Sequence, residues 1–265
     1  MLQLLLSAAP ALVAKGRPSP IDTATSGFAS IARAPYGTTV AAELNADSGA
    51  VRQLPAASQL KLYEFEACPF CRRVREVVTY LDLEVTIVPC AAGSRHRAAV
   101  AAAATAQGKD RPTFPYLEDE AAGVNLFESE DIVNHLLRSY GNGVPLPPPS
   151  EYFLPSTLLT GWIPALLRPG RGTTVDPSAV ASSPAQLPTL YSYDGNQFCR
   201  LVREALTELD IPYTLVSVGK GSPARARLVT IAGKSTAPHF VDPNTGAAMG
   251  ESYDVCEYLF REYSQ

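Results

Sequence analysis

Three histidines and five cysteines in 265 residues leave little material for a metal centre. His96, His135, Cys90, Cys199 and Cys256 stand singly, without the paired spacing that a zinc site requires, so no metal site is expected. The cysteines are odd in number and irregularly placed. That excludes the disulfide framework of a small secreted domain and fits a reducing compartment. Basic residues are not in excess: 22 Lys and Arg against 26 Asp and Glu give a net charge of -4, without a nucleic-acid footprint. No apolar run reaches the ~20 residues of a transmembrane helix. A composition 46% hydrophobic and 18% charged is that of a folded chain long enough for two small domains.

The N-terminal stretch MLQLLLSAAPALVAKGRPSP is apolar, but its basic residues, Lys15 and Arg17, follow the apolar segment. A secretory signal has the reverse order. Residues 1–42 hold a single acid, Asp22, which also suits organelle targeting. The preferred reading of residues 1–57 is an arm, a short amphipathic helix followed by irregular chain.

The dominant feature is an internal repeat. At an offset of 128, residues 62–88 match residues 190–216 at 13 of 27 positions, where chance gives roughly two. At an offset of 123, TFPYLEDEAAGVNLFESED (113–131) aligns with TAPHFVDPNTGAAMGESYD (236–254). Each copy reads as strand, helix, strand, helix, two strands and a last helix. The first helix carries apolar residues at helical spacing: Val74, Val77, Val78 and Leu81, then Val202, Ala205, Leu206 and Leu209. A helical crossover makes the first two strands of each copy parallel, and a hairpin makes the last two antiparallel. The fold class is therefore α/β, with two tandem βαβαββα domains at 58–141 and 188–265. Between them, residues 142–187 form a proline-rich linker. Its stretch FLPSTLLTGWIPALL reads as an apolar strap between the domains, or as a peripheral membrane contact through residues 153–167.

The chemistry lies in Cys68-Pro-Phe-Cys71, between a strand and a helix. Free N–H groups and the helix dipole stabilise an anion at such an N-terminus, lowering a thiol pKa. Pro69 suits the first helical position. Cys68 is expected to be the exposed nucleophile and Cys71 the resolving thiol. Arg72 and Arg73 would help the thiolate; Glu64 and Glu66 would oppose it. In the second copy Asn196 replaces the first cysteine and only Cys199 remains, so that copy is expected to bind or scaffold without thiol exchange.

CPFC resembles the centre of glutaredoxins. Thr113-Phe114-Pro115 and Thr236-Ala237-Pro238 resemble the cis-proline step of thioredoxin folds, and Glu128-Ser129 and Glu251-Ser252 resemble the acidic-hydroxyl pair with which glutathione transferases hold the γ-glutamyl group. From about residue 10 the chain resembles plant and algal glutathione transferases with two N-terminal domains in tandem. That resemblance implies thioredoxin-like domains, glutathione as cofactor and a plastid location. It places Pro69, Phe70, Arg111, Phe114, Pro115, Glu128, Ser129, Ala237, Pro238, Glu251 and Ser252 in glutathione binding. Phe114 would pair with the cysteinyl backbone, Ser129 and Glu128 with the γ-glutamyl end, and Arg111 or Lys109 with the glycyl carboxylate. The all-helical domain of ordinary glutathione transferases is not expected here, so a second substrate would lie between the two domains and the strap.

The expected function is glutathione-dependent thiol transfer by Cys68 on a small disulfide or electrophile. The alternatives are a non-catalytic redox sensor or partner-binding protein and, behind it, an isomerase resembling membrane-associated prostaglandin synthases through the C-P-x-C motif.

Overall fold

A computed structural model describes residues 16–44, 54–144 and 160–265. The segments 1–15, 45–53 and 145–159 lie outside the described residues, and with them parts of the expected arm and strap. The arm contributes helix α1 (Pro20–Ile31), started by a Ser19–Asp22 capping box. The first copy supplies β1 (Leu60–Glu64), α2 (Pro69–Tyr80), β2 (Glu84–Pro89), α3 (Arg97–Ala106), β3 (Tyr116–Asp119), β4 (Val124–Phe127) and α4 (Ser129–Tyr140). A short α5 (Ile163–Leu167) follows. The second copy is β5 (Thr189–Ser192), α6 (Gln197–Glu208), β6 (Tyr213–Ser217), α7 (Ala224–Ala232), β7 (His239–Asp242), β8 (Ala247–Met249) and α8 (Ser252–Tyr263). The mixed α/β class and the order of elements in each copy are as expected. No described helix is long and apolar enough to cross a membrane.

The two copies do not sit apart across a cleft. Their strands join in one eight-stranded sheet, β4-β3-β1-β2-β6-β5-β7-β8. The seam is an antiparallel pairing of β2 with β6, where Thr86 faces Thr214, its own repeat equivalent. This pairing removes an exposed edge from each copy. One core, containing Leu62, Val77 and Ile132 together with Val202, Phe240 and Leu259, runs beneath both halves of the sheet. The opposite face carries two separate clusters, around Val100 and Tyr116 and around Val218 and Leu228.

The helices α2 and α6 are amphipathic as expected, but their polar faces are not solvated. Their apolar residues are buried as expected, but so are Arg72, Arg73, Arg75, Glu76, Arg200, Arg203 and Glu204. Joining the sheets puts the polar faces of the two helices into a common interior, where each copy supplies the counter-charges of the other. Arg75 Nε donates to Asp194 at 2.9 Å, and Arg203 Nε to Glu66, the equivalent acid, at 2.9 Å. The arm and the linker complete the pattern: Arg33 pairs with Glu76 at 2.6 Å, and Arg168 pairs with Glu204 at 2.6 Å.

The strap is also held differently from expectation. Its described part turns Leu166 and Trp162 outward, 75% and 48% exposed. What anchors it is Arg168, Arg171 bonded to Glu208 at 2.7 Å, and backbone bonds between Thr173, Val175 and Ala92.

Candidate active site

Cys68 ends the chain's run from β1 and is the N-cap of α2. Its Sγ accepts the Cys71 N–H at 3.3 Å and lies 3.9 Å from the Phe114 carbonyl oxygen. Burial raises the thiol's pKa, but the Cys71 thiol and the N–H groups of Cys71 and Phe70 outweigh it and hold Cys68 below its ordinary value. Burial and the adjacent Cys68 push Cys71 well above its ordinary value. The pair is thus split into one thiolate-forming and one protonated sulfur. Cys68 is not openly exposed, however: it is 5% accessible and Cys71 0%.

The roles expected for the flanking charges change in the folded chain. Glu66 is drawn away from the thiol by Arg203, Arg75 and Arg200, and sits below the usual carboxylate range because those guanidiniums offset its burial. Glu64 bonds Arg75, yet burial still raises it to about 7. Its opposition to a thiolate therefore fades as pH falls through neutrality. Arg73 turns to Glu130 at 2.5 Å and Ser129 at 3.3 Å, and Arg72 toward Asp194 at 3.2 Å.

Cys68 opens onto a cleft of about 1000 Å³. Pro69, Phe70, Arg111, Phe114, Glu128 and Ser129 all line it, while Pro115 is buried behind Phe114. The far wall is Trp162, Ala165 and Thr173 of the linker. The second copy contributes no residue to this wall, so this cleft is built by the first copy and the linker and not between the two domains. Phe114-Pro115 and Ala237-Pro238 are both cis. Glu128 adopts φ 70°, a conformation costly for a residue with a Cβ, and this aims the start of α4 at the cleft. Arg111 is exposed at the rim without an ion-pair partner among the described residues, whereas Lys109 is turned to Glu128 at 3.8 Å.

Sequence reasoning missed Arg97. Its guanidinium lies 4.9 Å over the Phe114 ring and its Nε bonds the carbonyls of Cys90 and Ala91, so it braces the cleft floor. The available signal was the repeat itself, since Arg225 stands at the equivalent place and lies 5.9 Å from the Tyr193 ring.

The second copy keeps the outline of this site in a smaller pocket of about 460 Å³, lined by Asn196, Ala237, Pro238, Glu251 and Ser252 among others. Asn196 reproduces the hydrogen bonding of the lost thiol. Its Oδ1 accepts from Phe198 and Cys199 N–H at 2.8 and 3.0 Å, and its Nδ2 donates to Tyr193 Oη and the Ala237 carbonyl. Glu251 differs from Glu128, with an ordinary φ of -89° and an ion pair to Lys234 at 3.0 Å. Cys199 is fully buried, and burial raises its thiol pKa.

A family model described as the N-terminal domain of glutathione S-transferase matches residues 62–148 and 190–265. No curated protein and no solved structure matches significantly. The matched segments are the two halves of the eight-stranded sheet, each with a cis-proline before its antiparallel hairpin. Matched over more than half its length, the chain belongs to the glutathione S-transferase N-terminal domain family.

Proposed function

We propose that the protein is a glutathione-dependent thiol transferase in which Cys68 removes glutathione from mixed disulfides. The observation that carries this reading is the lowered thiol of Cys68, capped by the Cys71 N–H, on the wall of a cleft that also holds Arg111, Phe114, Glu128 and Ser129. The Cys68 thiolate attacks the glutathionyl sulfur of R–S–S–G; that S–S bond breaks and R–S⁻ leaves, taking a proton from solvent. A glutathione thiolate then attacks the glutathionyl sulfur on Cys68, forming glutathione disulfide and restoring the Cys68 thiolate. Cys71 is buried and holds its proton, so resolution by Cys71 is the slower branch. Arg111 faces the glycyl carboxylate, Phe114 the peptide backbone, and Ser129 with Glu128 the γ-glutamyl end. The second pocket, built around Ala237, Pro238, Glu251 and Ser252, holds a glutathionyl group without reacting with it.

The test is turnover of a glutathionylated peptide in the presence of glutathione. Cys68→Ser abolishes turnover and Cys71→Ser keeps most of it. Loss of turnover in Cys71→Ser alone would replace this monothiol cycle with a dithiol one. The low accessibility of Cys68 favours a second reading, a dithiol redox sensor. Reversible Cys68–Cys71 oxidation without turnover on any disulfide would select it.

A further inference from the structure

Beside the cleft, and sharing Ala67, Cys68, Pro69 and Ala165 with its wall, lies a cavity of about 10 Å³, which is room for one water-sized occupant. Its wall is dominated by cations: Arg72, Arg168, Arg171 and Arg200, against two acids, Glu66 and Glu204. Both acids are already satisfied. Arg168 grips Glu204 with two bonds of 2.6 Å, and Glu66 is held by Arg203 and Arg75 from outside the cavity and by Nη1 of Arg200 at 3.4 Å. Arg168 and Arg171 have their own acids. Arg72 and Arg200 do not have enough acceptors. All three nitrogens of the Arg72 guanidinium, and Nε and Nη2 of Arg200, are buried without a hydrogen bond, although the two residues are only 2% and 3% exposed. The contacts of Arg72 with Asp194 at 3.2 Å and Glu76 at 3.5 Å neutralise charge but lack hydrogen-bond geometry.

A buried guanidinium with unmet N–H groups requires an acceptor. Water is a poor one here, because it must in turn donate two hydrogens into a wall made largely of donors. An anion only accepts. Burial and the neighbouring Arg72 charge pull Arg200 down to about 9, against the opposing pull of Glu66 and Asp194.

We propose that this cavity binds one small inorganic anion of about chloride size, held by Arg72 and Arg200. Because Cys68 forms part of the same wall, the anion and the Cys68 thiolate are two negative charges side by side. Each then weakens the other, and by reciprocity thiolate formation expels the anion. Small anions would thus set how readily Cys68 ionises. The anion site itself is read without turnover and does not depend on the reaction proposed above.

Bromide is the probe. Crystals of the full chain soaked in sodium bromide should show an anomalous peak between Arg72 and Arg200; density refining as an ordered water only would overturn the proposal. In solution, the melting temperature should rise saturably in chloride relative to gluconate at equal ionic strength, which holds screening constant. Arg200→Gln should abolish that difference. Should Arg200→Gln fail to fold, Ala165→Val fills the cavity while keeping every charge. A chloride effect surviving intact in Ala165→Val places the anion elsewhere and sinks the assignment. Chloride should also move the midpoint of Cys68 alkylation upward by about one pH unit; an unmoved midpoint would overturn the coupling.

Discussion

At the scale of single residues, the pair Cys68 and Asn196 shows how one backbone frame hosts two chemistries. Both cap a helix by accepting the N–H of the residue three positions on, and both reach the carbonyl before the cis-proline. The amide meets the same hydrogen-bond demands as the thiol, accepting an N–H and donating to a carbonyl, and cannot form a nucleophilic thiolate. Two outcomes follow. Asn196→Ala should cost about 1 kcal/mol in denaturant unfolding through the lost cap. Asn196→Cys should create a second thiol that alkylates near neutral pH, counted by intact-mass spectrometry. In the unaltered chain, alkylation of Cys68 should follow pH with a midpoint below the free-thiol value of about 8.5, while Cys71 stays unlabelled below pH 9. A midpoint at or above the free value would remove the activated nucleophile.

At the scale of elements, each copy ties its hairpin to its last helix through one buried aspartate. Asp119 accepts from His135 at 2.7 Å, Tyr140 at 2.5 Å and the Ala122 N–H at 3.0 Å. Asp242 does the same with Tyr258, Tyr263 and the Asn244 N–H. His135 therefore occupies the place of Tyr258, as a donor that fastens the hairpin. Asp242→Ala leaves buried donors unpaired and should destabilise the chain by about 2–4 kcal/mol. Far less loss in urea unfolding would mean that the hairpin is fastened by packing alone. Asp82 and Asp210, both with positive φ at the ends of α2 and α6, show the repeat preserved down to a left-handed residue that Asp tolerates.

At the scale of the molecule, arginine–carboxylate pairs between the two copies accompany the apolar core that runs beneath the seam. Such a network adds little relative to good apolar packing, but removing one partner strands a buried charge. Glu66→Gln should lose about 3–5 kcal/mol by leaving Arg203 and its neighbours short of charge. The double variant with Arg203→Met should recover part of that loss, and strict additivity would deny their coupling. The pH dependence follows the same groups. Arginines hold Asp194 and Glu66 below the usual carboxylate range against the cost of burial. A depressed carboxylate contributes stability above its unfolded pKa of about 4 and loses it as pH falls toward the folded value. Melting temperature should thus fall steeply below about pH 4 through these groups, and Glu66→Gln should blunt that fall.

The amino-acid sequence by itself determined the repeat, the order of strands and helices, the thiol at a helix start and the two prolines that precede the hairpins. These depend on local periodicity and on fixed offsets along the chain, so they can be read without coordinates. What surrounds them could not be read that way. The seam between β2 and β6, the burial of the charged faces of α2 and α6, the arm and strap arginines and the linker wall of the cleft were decided by the tertiary structure alone. Glu66 and Arg203 are 137 residues apart; on a lone helix Arg72, Arg75 and Arg203 are an ordinary solvated face. Only when two copies share one sheet does that face become an interior, where Arg75 and Arg203 each find an acid in the other half.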